Sequence, residues 1–445
     1  MKTTDMQETG LPWLPVVPSR WKLMRNKDFL EETKETVGTN SSEYTLLSLT
    51  THGIVPRDIE SGKGKFPSDF SKYKIVRSGD MAFCLFDIDE TPRTVGLSEY
   101  DGMLTGAYSI FHVKDINPRY LYHYYRALDD VKALKPLYTG LRKTINSSVF
   151  ASLKIPVPSA AEQEKIAKYL DWQEFTINKL IATKRKEITL LKEAEHVFIK
   201  QTILGTVSEN RNDRKATGLP WMPEVPAHWY KSRHKFLFDL RTTKVGDKAA
   251  EYKLLSLTTK GVIPRDMESG KGKFPSDFSS YQEVKKGQFV FCLFDVDETP
   301  RTVGIAEEDG MITGAYTVFD VRDVNPDYLL YYFLTIDDEK AFKPLYTGLR
   351  KVINIDTFLA QTIYLPPMNE QNAIVQKIDA FLLKSRKAEQ VYQDELTFLK
   401  EIRANLALQT ISGLIDINEV TIPEYNDDEC VNGLFDDDDE LEEEV

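Results

Sequence analysis

One offset, 208 residues, organises this chain. TGLPWLPVVPSRW at 9–21 returns as TGLPWMPEVPAHW at 217–229, and EYTLLSLTTHGIVPRDIESGKGKFPSDFS at 43–71 returns as EYKLLSLTTKGVIPRDMESGKGKFPSDFS at 251–279. Only five of those 29 positions differ, three of them exchanges among Ile, Val and Met. CLFDIDETPRTVG at 84–96 matches CLFDVDETPRTVG at 292–304, PLYTGLRK at 136–143 matches 344–351, and QTILG at 201–205 matches QTISG at 409–413. Each unit is therefore about 200 residues of the 445, far above the roughly 20–50 of a solenoid repeat. Two duplicated domains are expected, related by a pseudo-two-fold axis.

Within a unit the periodicity changes once. Segments 44–49, 81–86 and 106–113 are short runs rich in aromatic and β-branched residues, which predicts strands. Asn117-Pro118 opens a predicted helix through Leu121, Tyr124, Tyr125 and Leu128, with proline in the first turn. IPVP at 155–158 reads as extended, because a residue before proline is pushed out of the α region. The modules are expected to be α+β, or mixed α/β.

The remainder of each unit is helical in pattern. Ile166, Leu170, Ile177, Leu180, Leu191 and Phe198 lie on a seam of alternating four- and three-residue spacings. Ile374, Ile378, Phe381, Tyr392, Leu399, Ile402 and Leu406 repeat it. This is a heptad seam with polar interruptions. A helix of about 45 residues at 1.5 Å per residue spans roughly 65–70 Å and exposes its stripe unless it finds a partner. The duplicate helix is the obvious partner, and a module between the two permits an antiparallel pair. The alternative is two helices packed separately on their own modules. The expected order is a module over 1–159, a helix over 160–206, a linker over 207–216, a module over 217–367, a helix over 368–413 and a tail over 414–445.

The net charge of −12 argues against a nucleic-acid partner until its placement is considered. Residues 424–445 hold 12 acidic residues and no Lys or Arg. Without them, 57 acidic residues face 57 basic ones, so the body is neutral and leaves room for local basic surfaces. The tail repels itself and has no packable pattern, which predicts disorder. It reads either as a solubilising extension or as an acidic competitor for a basic surface. Cys84, Cys292 and Cys430 show neither disulfide-framework nor metal-ligand spacing. No apolar run approaches a membrane span and the first residues lack a signal-peptide shape, so a cytoplasmic location is expected.

The order of module, long helix, module, long helix resembles the DNA-specificity subunit of type I restriction-modification enzymes. The resemblance rests on TGLPWLPVVPSRW, on the block from Tyr138 to Lys143, on the proline-rich strand feeding Glu162-Gln163, and on their copies at 217–229, 346–351 and 366–371. It covers about 9–413. It implies that each module is a target recognition domain reading half of a split DNA sequence. The antiparallel helices would set the distance between halves and dock two modification subunits, which bind S-adenosylmethionine and methylate adenine N6. Restriction subunits using ATP and Mg2+ would join them. Members of that family commonly carry dissimilar recognition domains; here the two are nearly alike.

Double-stranded DNA asks for phosphate neutralisation and then base-edge reading. Arg57, Lys63 and Lys65, with Arg265, Lys271 and Lys273, put three cations on each Gly-rich loop. An ordinary charged turn is the alternative. SGKGK lacks the spacing of a P-loop. Arg93 and Thr94, with Arg301 and Thr302, follow a predicted core strand on a proline-stiffened turn. There the neighbouring Asp87, Asp89 and Glu90 would fix the guanidinium or read cytosine N4. Tyr138, Thr139, Arg142 and Lys143, with Tyr346, Thr347, Arg350 and Lys351, combine hydroxyls and cations around a glycine, suited to clamping phosphate, and the resemblance implies a place near a module–helix junction that the block would also shape. Trp13, Trp21, Trp221 and Trp229 read as packing residues.

Catalysis finds no support in the sequence. There is no NPPY-like tetrad, glycine fingerprint for S-adenosylmethionine, HExxH, GxSxG or complete P-loop. His52 becomes Lys260 and His112 becomes Asp320, so no catalytic histidine is shared at those positions. No metal site and no cofactor of its own are expected. The competing class is a duplicated coiled-coil adaptor that binds proteins without DNA specificity; salt-dependent duplex binding separates the two.

Overall fold

The computed structural model describes residues 5–51, 53–58, 67, 69–140, 143–206, 213–265, 277–346 and 351–424. The first module opens with a hairpin, β1 (Met6–Leu11) and β2 (Leu14–Pro18), followed by β3 (Lys22–Arg25) and β4 (Leu30–Thr33). Next come the hairpin β5 (Leu47–Thr50) and β6 (Gly53–Pro56), then β7 (Lys74–Val76), β8 (Met81–Phe83), β9 (Val95–Leu97), β10 (Gly102–Leu104) and β11 (Ser109–Val113). Helices α1 (Pro118–Asp130) and α2 (Ser147–Ser152), strand β12 (Lys154–Val157) and the 44-residue helix α3 (Ala160–Ile203) complete it. The central sheet has the order β4-β11-β8-β9 and its registered pairs are antiparallel; β7 pairs with β10 and β3 with β12. The second module repeats this element for element, from β13 (Arg214–Leu219) to β24 (Thr362–Leu365), with α4 (Pro326–Asp338), α5 (Ile355–Ala360) and α6 (Met368–Ile411). The fold is α+β, as expected. Among the described residues no helix is long and apolar enough to cross a membrane.

Local signals account for the helix starts. Asn117 caps α1, its side chain accepting from the amides of Arg119 and Tyr120, and Pro118 occupies the position where a missing N–H costs nothing. Ser159 and Glu162 form a serine-to-glutamate arrangement at the start of α3: the Glu162 amide donates to Ser159 Oγ at 3.3 Å and Ser159 Oγ donates to Glu162 Oε2 at 3.1 Å. Glu162 also accepts from Arg20 (2.8 Å) and Trp21 Nε1 (3.4 Å). Burial opposes its ionisation, but these donors hold its carboxyl below the ordinary range. Gln163 is buried and accepts from the Asn117 amide at 2.9 Å while donating to the Pro158 carbonyl. Gln371 makes the same two bonds, to Asn325 and Pro366, and Trp229 Nε1 donates to Glu370. The Glu-Gln pair of each unit therefore fastens sheet, short helix and long helix together. Trp21 and Trp229 are buried in these junctions, as packing residues should be.

The chain divides into two compact units, Met1–Lys186 with Tyr392–Val445, and Glu187–Val391. The division falls inside both long helices, so each unit holds one module, the first part of its own helix and the last part of the other. In the first unit Arg403 donates to Asn178 Oδ1 at 2.9 Å and Lys184 pairs with Glu395 at 2.9 Å. In the second, Lys192 pairs with Glu389 at 3.4 Å and the Phe198 ring stacks on Phe381 with centroids 4.1 Å apart. Within each unit, numbers rise along α3 as they fall along α6, so the helices are antiparallel. Each helix ends on a left-handed glycine. Gly413 (φ +70°) would bring a Cβ within 3.1 Å of Trp21, and Gly205 (φ +62°) within 3.1 Å of Trp229. Only glycine supplies that conformation and that closeness.

The seam departs from expectation at one position. Ile166, Leu170, Ile177, Ile374 and Ile378 are buried, and Leu191, Phe198, Phe381, Tyr392, Leu399, Ile402 and Leu406 are half-buried. Leu180, however, is 47% exposed, and Ile181, at 7%, takes the inward place. Positions 177, 184, 191 and 198 fit two interleaved patterns, one adding 180, 187 and 194, the other 181, 188 and 195. The first offers a single large apolar residue and a glutamate; the second buries Ile181 and Ile188, so burial selects it. Ile181→Asp is thus expected to destabilise the first unit by several kcal/mol, while Leu180→Asp stays within about 0.5 kcal/mol. Calorimetric melting of the two variants checks this; equal shifts would refute the reassigned seam.

The tail begins later than the acidic composition implied. Ile417 is buried in the first core, with Val420 and Ile422 packed against it, and Lys165 Nζ donates to the Asn418 carbonyl at 3.1 Å. Three apolar residues among 415–422 suffice to hold that segment down. Residues 425–445, on which the disorder expectation chiefly rests, lie outside the described residues.

The two units differ where α1 or α4 meets the long helices. In the first, buried Arg126 pairs with Glu174, and Asp171 takes His123 Nε2 at 2.7 Å and Arg119 Nε at 2.9 Å. Burial alone would raise the Glu174 carboxyl; Arg126, with His123 and Arg403 beyond it, holds it at about 2. In the second, Leu334 and Leu382 stand at the positions of Arg126 and Glu174, both packed against the apolar core, and Tyr331 stands for His123, donating to Asp379 at 2.7 Å.

Candidate nucleic-acid interface

Three segments nearly identical between the copies come together in each module. The hairpin β5–β6 rests on β9, where Gly96 allows close approach: a Cβ there would lie 2.7 Å from Ile54. From that hairpin Arg57 begins the Gly-Lys loop, its amide donating to the Leu46 carbonyl at 2.8 Å. The loop after β8 then pairs with the turn that precedes α2. Ile145 N donates to the Leu85 carbonyl at 2.8 Å, Phe86 bridges Thr144, and Asp87 N donates to the Lys143 carbonyl at 3.2 Å. Asp87 and Lys143 both hold φ at +44°; Asp295 and Lys351 do so at +46° and +48°. Non-glycine residues pay for such backbone only where the surroundings enforce it.

The enforcement comes from Asp89. Its amide donates to Tyr138 Oη at 2.8 Å, and that hydroxyl donates back to Asp89 Oδ1 at 2.8 Å. Lys135 and Lys143 approach Oδ2 at 3.2 and 3.5 Å, and Lys143 also pairs with Glu90. The Tyr138 hydrogen bond, with Lys135 and Lys143 beside it, depresses the Asp89 carboxyl to about 2. The second copy reproduces this with Asp297, Tyr346, Lys343, Lys351 and Glu298.

Several residues expected at the DNA have partners inside the module. Arg93 has a side chain only 9% exposed and pairs with Asp129 (3.1 Å) and Asp130 (2.8 Å) of α1, not with the adjacent acids. Thr94 is buried and binds Asp129 through both its amide and its hydroxyl. Lys132 closes the same cluster through Asp129 and the Thr91 and Pro92 carbonyls. Arg301 and Thr302 repeat it with Asp337 and Asp338. A guanidinium so enclosed fixes the loop from within. The Tyr138 and Tyr346 hydroxyls are likewise committed inside the module. Arg57, Arg265 and Thr139 are exposed, and Lys143 and Lys351 are half-buried. Lys63, Lys65, Arg142, Lys271, Lys273, Thr347 and Arg350 lie outside the described residues.

Sequence reasoning missed an aromatic pair beside these loops. Phe294 and Tyr316 lie nearly parallel, at 11° with centroids 6.1 Å apart, and both are half-buried. Burial raises the Tyr316 hydroxyl while the charge of Arg265 pulls against it, which places that arginine nearby. Phe86 and Tyr108 are the corresponding residues of the first module. Their only signal was identity in both copies. Among the described residues no group of three or more His, Cys, Asp or Glu is placed to hold a metal ion.

The model of the type I restriction modification DNA specificity domain matches residues 95–190 and again 302–393, the same part of both copies. In these two stretches the chain is similar to the specificity proteins of type I restriction-modification systems. It is 23% identical over 270 residues to the specificity subunit of the type I restriction enzyme MjaVIII of Methanocaldococcus jannaschii, covering 56% of this chain and 60% of that protein. It is 26% identical over 238 residues to the protein assigned as the MjaX specificity subunit of the same organism, covering 48% and 51%. The chain thus spans between half and two thirds of the length of these curated relatives. Its fold is similar, with a TM-score of 0.58 and 16% identity over 90% of this chain and 99% of the other, to a chain solved in work on complex assembly and conformational transition of the type I system. The family match begins at β9 and runs into the long helix, so it takes in the junctions and leaves out the Gly-Lys loops.

Proposed function

We propose that this chain is a specificity subunit of a type I restriction-modification system that binds a bipartite DNA target, each module reading one half, and that the two halves are the same sequence in inverted orientation. The observation that carries this is where the copies agree. Residues 43–71 keep 24 of 29 identities, 84–96 keep 12 of 13 and 136–143 keep all eight, whereas α1 and α4 share only six of 13. The segments that agree converge at one place in each module; those that diverge face the long helices. Equal surfaces read equal bases, and the pseudo-two-fold axis expected of a duplicated chain would present them in inverted orientation. Arg57, Lys63, Lys65, Thr139, Arg142 and Lys143, with Arg265, Lys271, Lys273, Thr347, Arg350 and Lys351, are the residues assigned to phosphate and base contact.

The chain itself is read as non-catalytic. Two modification subunits would dock on the long helices, where Leu190 and Phe398, at corresponding positions, are 52% and 62% exposed. S-adenosylmethionine would belong to those partners, and ATP with Mg2+ to restriction partners. Mapping methylated adenines in cells with and without the gene tests this reading. The expected result is one interrupted motif with inverted, matching halves, methylated on both strands. Two unrelated halves would refute the equal-surface argument, and a methylation pattern indifferent to the gene would refute DNA specificity altogether.

A further inference from the structure

Most polar side chains of the loop 86–94 are spent inside the first module. Asp89 is bonded to Tyr138, Glu90 to Lys143, Thr91 to the Asp87 carbonyl, and Arg93 and Thr94 to Asp129. The ring of Phe86 stays half-buried, as does that of Phe294 in the second module. Each stands opposite one residue of the segment before the next short helix: Phe86 bridges Thr144 and Phe294 bridges Val352, both antiparallel. Side chains directly opposite across such a bridge leave on the same face, with Cβ atoms about 5 Å apart. Both modules therefore bring a phenyl ring beside a branched, methyl-bearing side chain. Thr144 is half-buried and Val352 is 39% exposed. The exchange of Thr for Val keeps one methyl group and alters only the other branch. The support beneath the ring is fixed. Phe294 stacks on Tyr316, which packs against the apolar cluster that includes Leu255 and Val262, and the Tyr316 carbonyl accepts from Gln282 Nε2 at 2.7 Å. Tyr108 packs against the corresponding cluster of Leu47 and Ile54, and its carbonyl accepts from Lys74 Nζ at 2.6 Å. The hairpin of 255–264 runs on into Arg265, whose charge acts on Tyr316.

We propose that Phe86 with Thr144, and Phe294 with Val352, each seat the 5-methyl group of a thymine, one in each half of the target. The inference rests on the DNA-reading function proposed above and names a base that part of the surface selects. In the major groove the thymine methyl is the apolar group a base edge displays, and a phenyl ring or a threonine methyl is a side-chain group that meets it. A ring already stacked on Tyr316 is not free to enter a base step as a wedge must. What it still exposes, with the methyl group beside it, suits a base edge. The neighbouring arginine supplies the phosphate or guanine contact that an apolar seat lacks. Because the Thr-to-Val exchange preserves a methyl group, both modules select the same base at this position.

The test uses the full chain with its modification partner, on duplexes of the mapped target in which each thymine is replaced in turn by uracil. That replacement deletes the methyl group and leaves the pairing edge intact. In the wild type, one position in each half is expected to lose about fourfold in affinity, the order of burying a single methyl group. Phe86→Ala is expected to abolish the uracil effect at one half only, and Phe294→Ala at the other, as for two groups that act through one contact. Val352→Asn, at a more exposed position, is expected to remove the same sensitivity as Phe294→Ala and decides the matter where the latter fails to fold. A wild type that selects the mapped target yet is indifferent to every uracil would overturn the proposal. So would a uracil effect that persists at full size in both Phe294→Ala and Val352→Asn. Affinity lost in the alanine variants with no uracil effect in the wild type would show a ring that acts on base stacking or on packing, and would overturn it too. A wild-type complex that fails to discriminate between the mapped target and a duplex with one half scrambled would instead overturn the DNA-reading function itself.

Discussion

Arg126→Leu is expected to destabilise the first unit by about 3–5 kcal/mol, and adding Glu174→Leu to recover most of that loss. Arg126 is buried among α1, α3 and the end of α6, and its partner Glu174 is held at about 2 by the guanidinium. Removing the arginine leaves a carboxylate in a place that burial alone makes hostile to charge, so it must either take up a proton or draw water in. Removing both charges leaves two leucines of similar reach, and replacing a buried pair by packed apolar residues is often neutral. The molecule contains its own control. Leu334 and Leu382 occupy the corresponding positions of the second unit and pack against its core. Calorimetric unfolding of the single and double variants decides the matter. A single variant as stable as the parent would mean the ion pair contributes nothing. A double variant no better than the single would mean the rest of the seat, His123, Gln173 and Arg403 among it, demands the charges.

What could be read from sequence follows from how far apart the cooperating residues are. The capping of α1 by Asn117 and the helix run after Ser159 are local signals, complete within a few residues, and the duplication repeats them. The Leu180 misassignment is a local ambiguity of another kind: a stripe on a 3.6-residue helix admits either neighbour of 177 until burial chooses. The partners of Arg93 were out of reach for a different reason. Its partners Asp129 and Asp130 lie 36 and 37 positions away, and a cation near three acids invites pairing with the near ones. The partner of Tyr138 was hidden likewise, since its hydroxyl meets Asp89 from 49 positions off. Identity between the copies could not separate these cases, because two modules with one fold keep their internal clamps as faithfully as their reading surface. The structure makes that separation, by showing which identical side chains are consumed inside.

The second large effect is expected in acid, and in the second unit. Asn26 of the first module is buried with both ends of its amide used, Nδ2 donating to the Phe150 carbonyl at 2.8 Å and Oδ1 accepting from Tyr125 Oη at 2.6 Å. The second module has His234 and Phe333 at those positions. His234 is buried against Phe358 and Phe333, with ring centroids 4.7 and 5.3 Å away. Burial pushes the imidazole down to about 3, the backbone of Phe358 opposing only in part. The unfolded chain binds a proton at this histidine near pH 6.5 and the folded chain does not. Between those two values the unfolded state therefore holds one more proton, and stability falls as pH falls, by about 1.4 kcal/mol per pH unit. From neutrality to pH 5 the loss is about 2 kcal/mol from this residue alone. His234→Asn with Phe333→Tyr transplants the first module's pair, whose members stay uncharged in that range. Melting temperature measured from pH 7 to pH 5 is expected to fall less steeply in the transplant than in the parent. Parallel curves would mean that the imidazole is reached by water and charges in place. Carboxylates that also titrate are common to both proteins, so the difference between the curves isolates His234.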